Sequence, residues 1–354
     1  EISLGLVGSE MCIRDRMSNM RIALIGTGSW GTAMAGLVAS HGHTVVMWSY
    51  DPAPAHEINE LHTNSCYLSD YTLPESVSAT CSHEEALAGA DAVIFAVPSS
   101  FLRGVARDCA PYISDGLPVL CLAKGIELGT GLLMSDVIAS EIGHPERIAA
   151  LSGPNHAEEI CHGALSASTI ACESMEIGDF FKGIILGPNF RIYLSTDLVG
   201  VELCGAMKNI MAIICGIAAG SGMGDNALAL IMTRGLAEMS RLVHACGGEA
   251  MTCMGLAGMG DLIVTCTSRH SRNRSFGEAF ARGETLEEYQ ARRRMVVEGA
   301  AAAKSVSELA RSKGVDVPFA FALEQLLYGS MTLEEALDQL TSRMPGEEFY
   351  GLDE

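Results

Sequence analysis

Gly26-Thr-Gly28-Ser-Trp-Gly31 sets three glycines at G-x-G-x-x-G spacing, directly after an apolar run, Arg21–Ile25, and directly before a stretch of small and apolar residues, 32–40. Few folds accommodate that junction. Gly26 permits the tight turn, Gly28 lets the backbone approach a pyrophosphate, and Gly31 lets a helix lie close on a strand. A helix starting there turns its N-terminal N–H groups towards an anion. A second apolar run, Thr44–Trp48, supplies the next strand. The segment is therefore expected to open a dinucleotide-binding α/β domain rather than to form a bare glycine-rich turn.

The pattern continues downstream. Residues 91–97 and 118–123 are near-continuously apolar, as strands covered on both faces are, and Ile148–Ser152, 168–172 and Phe190–Ser195 read as further strands. Strands alternating with helical stretches predict a parallel, doubly wound sheet. After Asp197 the texture changes: 199–219, 227–245, 299–313, 320–328 and 333–340 read as helices, broken at Gly220-Ser-Gly-Met-Gly224, Gly247-Gly248 and Val315-Asp-Val-Pro318. A chain of 354 residues is too long for one compact core. The expected fold is α/β: an N-terminal Rossmann-like doubly wound sheet over 17–198, followed by an all-α C-terminal domain over 199–354 that binds substrate. Residues 1–16 show neither sustained periodicity nor a signal-peptide layout and resemble translated sequencing-adapter sequence, so they are expected to be a non-native extension.

Composition excludes several classes. The formal charge of −20 argues against a nucleic-acid partner, whose phosphates call for a basic field. The 12 cysteines are scattered, with no C-x-x-C pair and no Cys/His cluster of zinc-site spacing, so no metal site is expected. Thiols used in this way suit a reducing cytoplasm. The longest suggestive apolar run, 210–219, stops at Gly220 and is too short to cross a bilayer, so no membrane span is expected.

Several residues outside the glycine motif are candidates for chemistry. Asp51 lies 20 residues past Gly31, where an acid could hold a ribose hydroxyl; it could equally cap a helix before Pro52. Tyr50 stands where an arginine would suit a 2′-phosphate, which favours NAD over NADP. Lysine is rare, at positions 124, 182, 208, 304 and 313. Lys124 ends the apolar run 118–123, at the carboxyl edge of the sheet where ligands bind. Lys208 sits in an otherwise apolar helix, as either a snorkelling surface group or a desolvated functional amine. Gly255-Leu-Ala-Gly-Met-Gly-Asp261 leads into a segment that gathers Arg269, Arg272 and Arg274 beside Ser271 and Asn273, donors that suit a phosphate monoester.

Taken together, GTGSWGTA at 26–33, Lys124-Gly-Ile126, Ser152-Gly-Pro-Asn-His-Ala157, the stretch GVELCGAMKN at 200–209, GLAGMGDL at 255–262 and SRNR at 271–274 resemble the NAD(P)-dependent glycerol-3-phosphate dehydrogenases of bacterial type. The resemblance runs from Met20 to about residue 340. It implies that Gly26, Gly28, Ser29, Trp30, Gly31, Tyr50 and Ala157 border NAD or NADP, and that Val296 and Glu298 close its far side. Lys124 would touch both substrate and cofactor, and Lys208 would transfer the proton. Gly153, Asn155, Asp261, Ser271 and Asn273 would line the substrate, with Arg272 holding its phosphate and reaching the cofactor. Asn155 and His156 depart from the usual pattern, which has a small hydroxyl residue and an aromatic there.

The implied reaction is reversible hydride transfer between nicotinamide and C2 of dihydroxyacetone phosphate, giving sn-glycerol 3-phosphate for glycerophospholipid synthesis. Lys208 would supply the proton, close to Lys124, with Asp261 either orienting Lys208 or capping a helix. The resemblance also implies a homodimer. A rival reading is a dehydrogenase of similar architecture acting on a hydroxy acid, since an arginine cluster also suits a carboxylate.

Overall fold

The computed structural model describes residues 19–293, 296–344, 346–348 and 350–351. The extension expected at residues 1–16 lies outside them. The described strands are β1 (Arg21–Ile25), β2 (Thr44–Trp48), β3 (Thr63–Asn64), β4 (Leu68–Thr72), β5 (Val77–Thr80), β6 (Ala92–Phe95), β7 (Val119–Cys121), β8 (Ile148–Ser152), β9 (Ser166–Cys172) and β10 (Phe190–Ser195). Between them run α1 (Ser29–Ser40), α2 (Pro52–Leu61), α3 (His83–Leu87), α4 (Ser99–Cys109), α5 (Met134–Ile142), α6 (Ala157–Ile160) and α7 (Met175–Ile185). From Leu198 onwards the regular structure is helical: α8 (Leu198–Gly220), α9 (Asp225–Ala245), α10 (Asp261–Thr267), α11 (Arg272–Ala281), α12 (Leu286–Arg293), α13 (Glu298–Lys313), α14 (Pro318–Tyr328) and α15 (Leu333–Thr341).

One sheet of eight strands, ordered β10-β9-β8-β7-β6-β1-β2-β5, organises the first part of the chain. Its middle strands are apolar on both faces because helices cover both: Leu24, Ile94 and Leu120 pack on one side, Ile25, Phe95 and Val119 on the other. The strand alternation predicts a parallel sheet, and the sheet departs from that at one pair. β8 and β9 pair antiparallel, with Ala150 opposite Ala171. The link between them, residues 153–165, holds one four-residue helix, α6, and no longer crossover helix of the kind that returns the chain to a parallel start elsewhere in the sheet. Two further elements escaped the sequence pattern: β5, which extends the sheet edge beside β2, and the β3–β4 hairpin, which stands outside the sheet.

α8 is the axis of the helical part. The helix runs 23 residues, well beyond the 210–219 run seen in the sequence, and by length and composition alone it could cross a membrane. Its most apolar stretch is 83% buried inside the protein, against α9, α10, α11 and α13. That is the environment of a core helix. The contact with α11 is backbone to backbone: a Cβ on Gly277 would meet the Ile213 carbonyl oxygen at 2.1 Å, and one on Gly216 the Arg274 carbonyl oxygen at 2.1 Å. This approach brings the start of α11 beside the middle of α8.

Two carboxylates are buried as helix caps. Glu202 on α8 accepts from the backbone N–H and hydroxyl of Ser135 in the first turn of α5, which joins α8 to the sheet part. Glu238 on α9 accepts from the N–H groups of Phe319 and Ala320 at the start of α14. Burial pushes each carboxyl up to about 7, against these hydrogen bonds.

Candidate active site

Three elements converge on one carboxylate. β7 delivers Lys124 past its carboxyl end, α8 delivers Lys208 from its third turn, and Asp261 opens α10 immediately after a turn of π-helix, Leu256–Gly260. Lys124 Nζ donates to Asp261 Oδ2 at 2.6 Å, and Lys208 Nζ donates to Asp261 Oδ1 at 2.6 Å. Each lysine has a second partner, Asn155 Oδ1 at 3.2 Å for Lys124 and Thr265 Oγ1 at 2.9 Å for Lys208. Thr265 Oγ1 also donates to Asp261 Oδ1 at 3.2 Å. Asn155 is anchored in turn by its amide, which reaches Ser168 Oγ on β9 at 3.3 Å.

Asp261 is 1% exposed, so its charge is tolerable only because two ammonium groups and a hydroxyl satisfy it. Burial by itself would raise the Asp261 carboxyl; the charges of Lys124 and Lys208 outweigh it and hold the group below the usual carboxylate range. Burial pulls the Lys124 ammonium down to about 8. Asp261 opposes that pull, and the positive charge of Lys208 adds to it. His156, also at the cleft, is pushed down by burial and then by Lys208, which favours a neutral imidazole.

The two lysines face a cleft whose other wall comes from α11 and the start of α13. Ser271, Arg272 and Asn273 line it from the beginning of α11, with Val296 and Glu298 opposite. Ser271 accepts the Arg274 N–H at 3.2 Å and caps α11. Asn273 donates to Asn209 Oδ1 at 2.9 Å and accepts the Gly299 N–H at 3.0 Å, tying α8, α11 and α13 together. The three arginines noted in the sequence have separate fates. Arg272 lines the cleft, and among the described residues its guanidinium has no hydrogen-bond or ion-pair partner. Arg274 points elsewhere, to Glu278 and to the carbonyls of Cys266 and Thr267. Arg269 is exposed and is not among the lining residues.

The glycine motif forms the cleft's other end. Ser29, Trp30 and Ala157 line it. Gly26 adopts φ +124°, and a Cβ there would meet the Ala96 carbonyl oxygen at 2.7 Å; at Gly31 it would meet the Gly26 oxygen at 2.4 Å. Gly28 differs: a Cβ would meet nothing within 4 Å. The fold itself therefore does not demand glycine at 28, whereas a bound group approaching the loop would. No side chain caps α1, so the N–H groups of its first turn stay available to an anion. This cradle fits a dinucleotide pyrophosphate.

Other candidates lie off the cleft lining. Tyr50 is 89% exposed beyond the end of β2. Asp51 accepts the Ala53 N–H at 2.9 Å and caps α2, the helix-cap reading of its position. Gly153 is fixed by a close approach to β9, where a Cβ would meet Ser168 Cα at 2.8 Å.

Two family models account for most of the chain: the NAD-dependent glycerol-3-phosphate dehydrogenase N-terminus over residues 21–178 and the C-terminus over residues 197–338. The chain belongs to the NAD-dependent glycerol-3-phosphate dehydrogenase family. A glycerol-3-phosphate dehydrogenase [NAD(P)+] of Corynebacterium urealyticum is 43% identical over 326 residues, covering 92% of this chain and 98% of that relative. The Chlorobium luteolum enzyme of the same name is 40% identical, covering 93% and 99%. Among solved structures, glycerol-3-phosphate dehydrogenase from Coxiella burnetii superposes with a TM-score of 0.88 at 35% identity, covering 92% of this chain and 99% of that one. As a member of this family, the chain is an NAD(P)-dependent oxidoreductase.

Residues that the sequence did not single out also meet here. Thr265 stands one helical turn after Asp261 on the same side of α10, a spacing legible only once α10 is known. Asn209, next to Lys208, donates to Glu298 Oε2 at 3.4 Å as well as accepting from Asn273. Tyr67, on the β3–β4 hairpin, comes close enough to both Asp51 and Arg272 to feel their charges, and its backbone oxygen accepts from Ser29 Oγ at 3.2 Å.

Proposed function

We propose that Lys208 is the proton-transfer residue of this glycerol-3-phosphate dehydrogenase, in a site where Lys124 and Arg272 hold one phosphorylated triose. A bound nicotinamide supplies the hydride that interconverts dihydroxyacetone phosphate and sn-glycerol 3-phosphate. The observation that carries the proposal is the shared Asp261 carboxylate, which fixes both lysines at 2.6 Å on the floor of the cleft.

In the reducing direction the C2 oxygen gains negative charge, and Lys208 Nζ delivers a proton to it; in the oxidising direction the same amine accepts that proton. Asp261 and Thr265 orient Nζ, so that one of its three N–H bonds is left for substrate. Lys124 stabilises the developing charge and stays put through Asn155. Arg272 offers a free guanidinium fork at the N-terminus of α11, where the helix dipole adds to the attraction for phosphate. Asn155, Ser271 and Asn273 add uncharged donors around the substrate, and Gly153 lets β8 lie close to β9 beneath it. Gly26, Gly28, Ser29, Trp30, Gly31, Ala157, Val296 and Glu298 would hold the cofactor, with exposed Tyr50 beside the adenosine end.

For Arg272→Ala we expect KM for dihydroxyacetone phosphate to rise about tenfold or more, because a charge-assisted phosphate contact is lost. Steady-state kinetics at saturating NADH measures it, and an unchanged KM removes Arg272 from the phosphate site. The proposal extends to residues 199–354 as the substrate-binding domain and to sn-glycerol 3-phosphate feeding glycerophospholipid synthesis. A cytoplasmic location is supported by the free thiols of all described cysteines. A homodimer is supported by exposed apolar side chains at Met251, Met254 and Ile263 in the helical part.

A further inference from the structure

The glycine loop and the start of α1 are gripped by an element from outside the β1–α1–β2 unit. Asn64 on β3 is fully buried, and its amide Nδ2 donates twice: to the Thr27 carbonyl oxygen at 2.8 Å and to Thr32 Oγ1 at 2.8 Å. Thr27 is the residue between Gly26 and Gly28; Thr32 lies in the first turn of α1. Thr27 is held from the other side as well, through its hydroxyl and Ser49 Oγ, 2.9 Å apart and buried. At the far end of the same hairpin, the Tyr67 carbonyl takes the Ser29 hydroxyl. Leu68 packs with Ala33 and Ala157 and closes the gap between hairpin and helix.

The Thr27 contact has a directional consequence. In a trans peptide unit the carbonyl and the following N–H point opposite ways. Holding the Thr27 oxygen towards Asn64 therefore turns the Gly28 N–H away from Asn64. Within α1 only the Thr32 hydroxyl reaches the same Thr27 oxygen, at 3.4 Å against 2.8 Å for Asn64, and Asn64 also holds that hydroxyl.

We infer that Asn64 is a positioning residue for the cofactor: by donating to Thr27 and Thr32 it presets the loop so that its N–H groups meet the pyrophosphate without rearrangement. The inference rests on the reading of 26–31 as the cofactor loop. Its contribution is preorganisation, so it acts on cofactor affinity and not on the chemistry at Lys208.

Asn64→Asp tests it, because the shape and the Oδ1 acceptor are kept while the donor is replaced by a second acceptor; Asn64→Ala gives the same readout should the aspartate fail to fold. NADH affinity by calorimetric titration is expected to weaken about tenfold through the lost donor bonds. At saturating NADH, kcat and KM for dihydroxyacetone phosphate are expected to stay within about twofold of the parent, since the loop is not part of that chemistry. NADH binding equal to the parent, or a parallel loss of kcat, substrate KM and Tm, overturns the inference. Gly28→Val separates the two levels. If Gly28→Val abolishes NADH binding and Asn64→Asp does not weaken it, the loop is the cofactor site and Asn64 has no part in it. If Gly28→Val binds NADH like the parent, the loop reading falls and the inference with it.

Discussion

Replacing Lys208 by alanine is expected to lower kcat by about 10²–10⁴-fold, the usual contribution of a positioned general acid, while NADH affinity changes by no more than about twofold. The geometry makes this a clean substitution. Asp261 keeps its 2.6 Å contact with Lys124 when Lys208 is gone, so no buried charge is left wholly unpaired. Single-turnover reduction of dihydroxyacetone phosphate under saturating NADH reads the chemical step directly. Added methylamine should restore part of the rate, because a small amine can occupy the vacated side-chain space and supply the proton. A kcat near that of the parent would show that the proton comes from elsewhere.

Asp261→Ala has the opposite character: a large loss of stability as well as of activity. It leaves the buried ammoniums of Lys124 and Lys208 without their shared counter-charge, and breaking a buried pair in this way costs about 3–5 kcal/mol. A fall in Tm of roughly 10 °C is expected for domains of this size. The pH dependence carries a sign. Lys124 is already pulled down to about 8 in the folded protein, and loss of Asp261 removes a contribution that holds it up. The folded variant then binds fewer protons than the unfolded chain at alkaline pH, so its stability should recover as pH rises towards 10. The milder Asp261→Asn should move the alkaline limb of kcat/KM for dihydroxyacetone phosphate to below pH about 8. Thermal melts from pH 7 to 10 and a pH–rate profile measure both. A stability defect independent of pH would mean that Lys124 does not depend on Asp261 for its charge.

Much of the first half of the fold was legible because its signals are local. A glycine motif between two apolar runs, and runs long enough to be buried on both faces, predict a Rossmann-like sheet from sequence alone. What escaped was decided by chain geometry. The β8–β9 pair is antiparallel across a link, residues 153–165, whose helix is only the four residues of α6, and β5 is four residues of mixed exposure at the sheet edge. α11 and α12 are too polar for an apolar periodicity to announce them, and α10, though apolar, is only seven residues long. The site shows the same division. Lys124 could be placed from the strand before it. The arginine cluster could not be resolved, because residues 272 and 274 stand about 200° apart around a helix at 100° per residue. Only the start of α11 at Arg272 decides which of them faces the cleft. Asn64, Asn209 and Thr265 are polar residues of ordinary appearance, and their partners lie far away in sequence or on a helix the pattern did not reveal.

The central claim is that this cleft reduces a phosphorylated triose and not a keto acid. Initial rates of NADH and NADPH oxidation with dihydroxyacetone phosphate, set beside the same rates with pyruvate and 2-ketopantoate, test it most directly. The account predicts kcat/KM for dihydroxyacetone phosphate at least about a hundredfold above either keto acid, since in the proposed site Arg272 and the α11 N-terminus would bind a phosphate. A keto acid turned over as well as or better than dihydroxyacetone phosphate would contradict it.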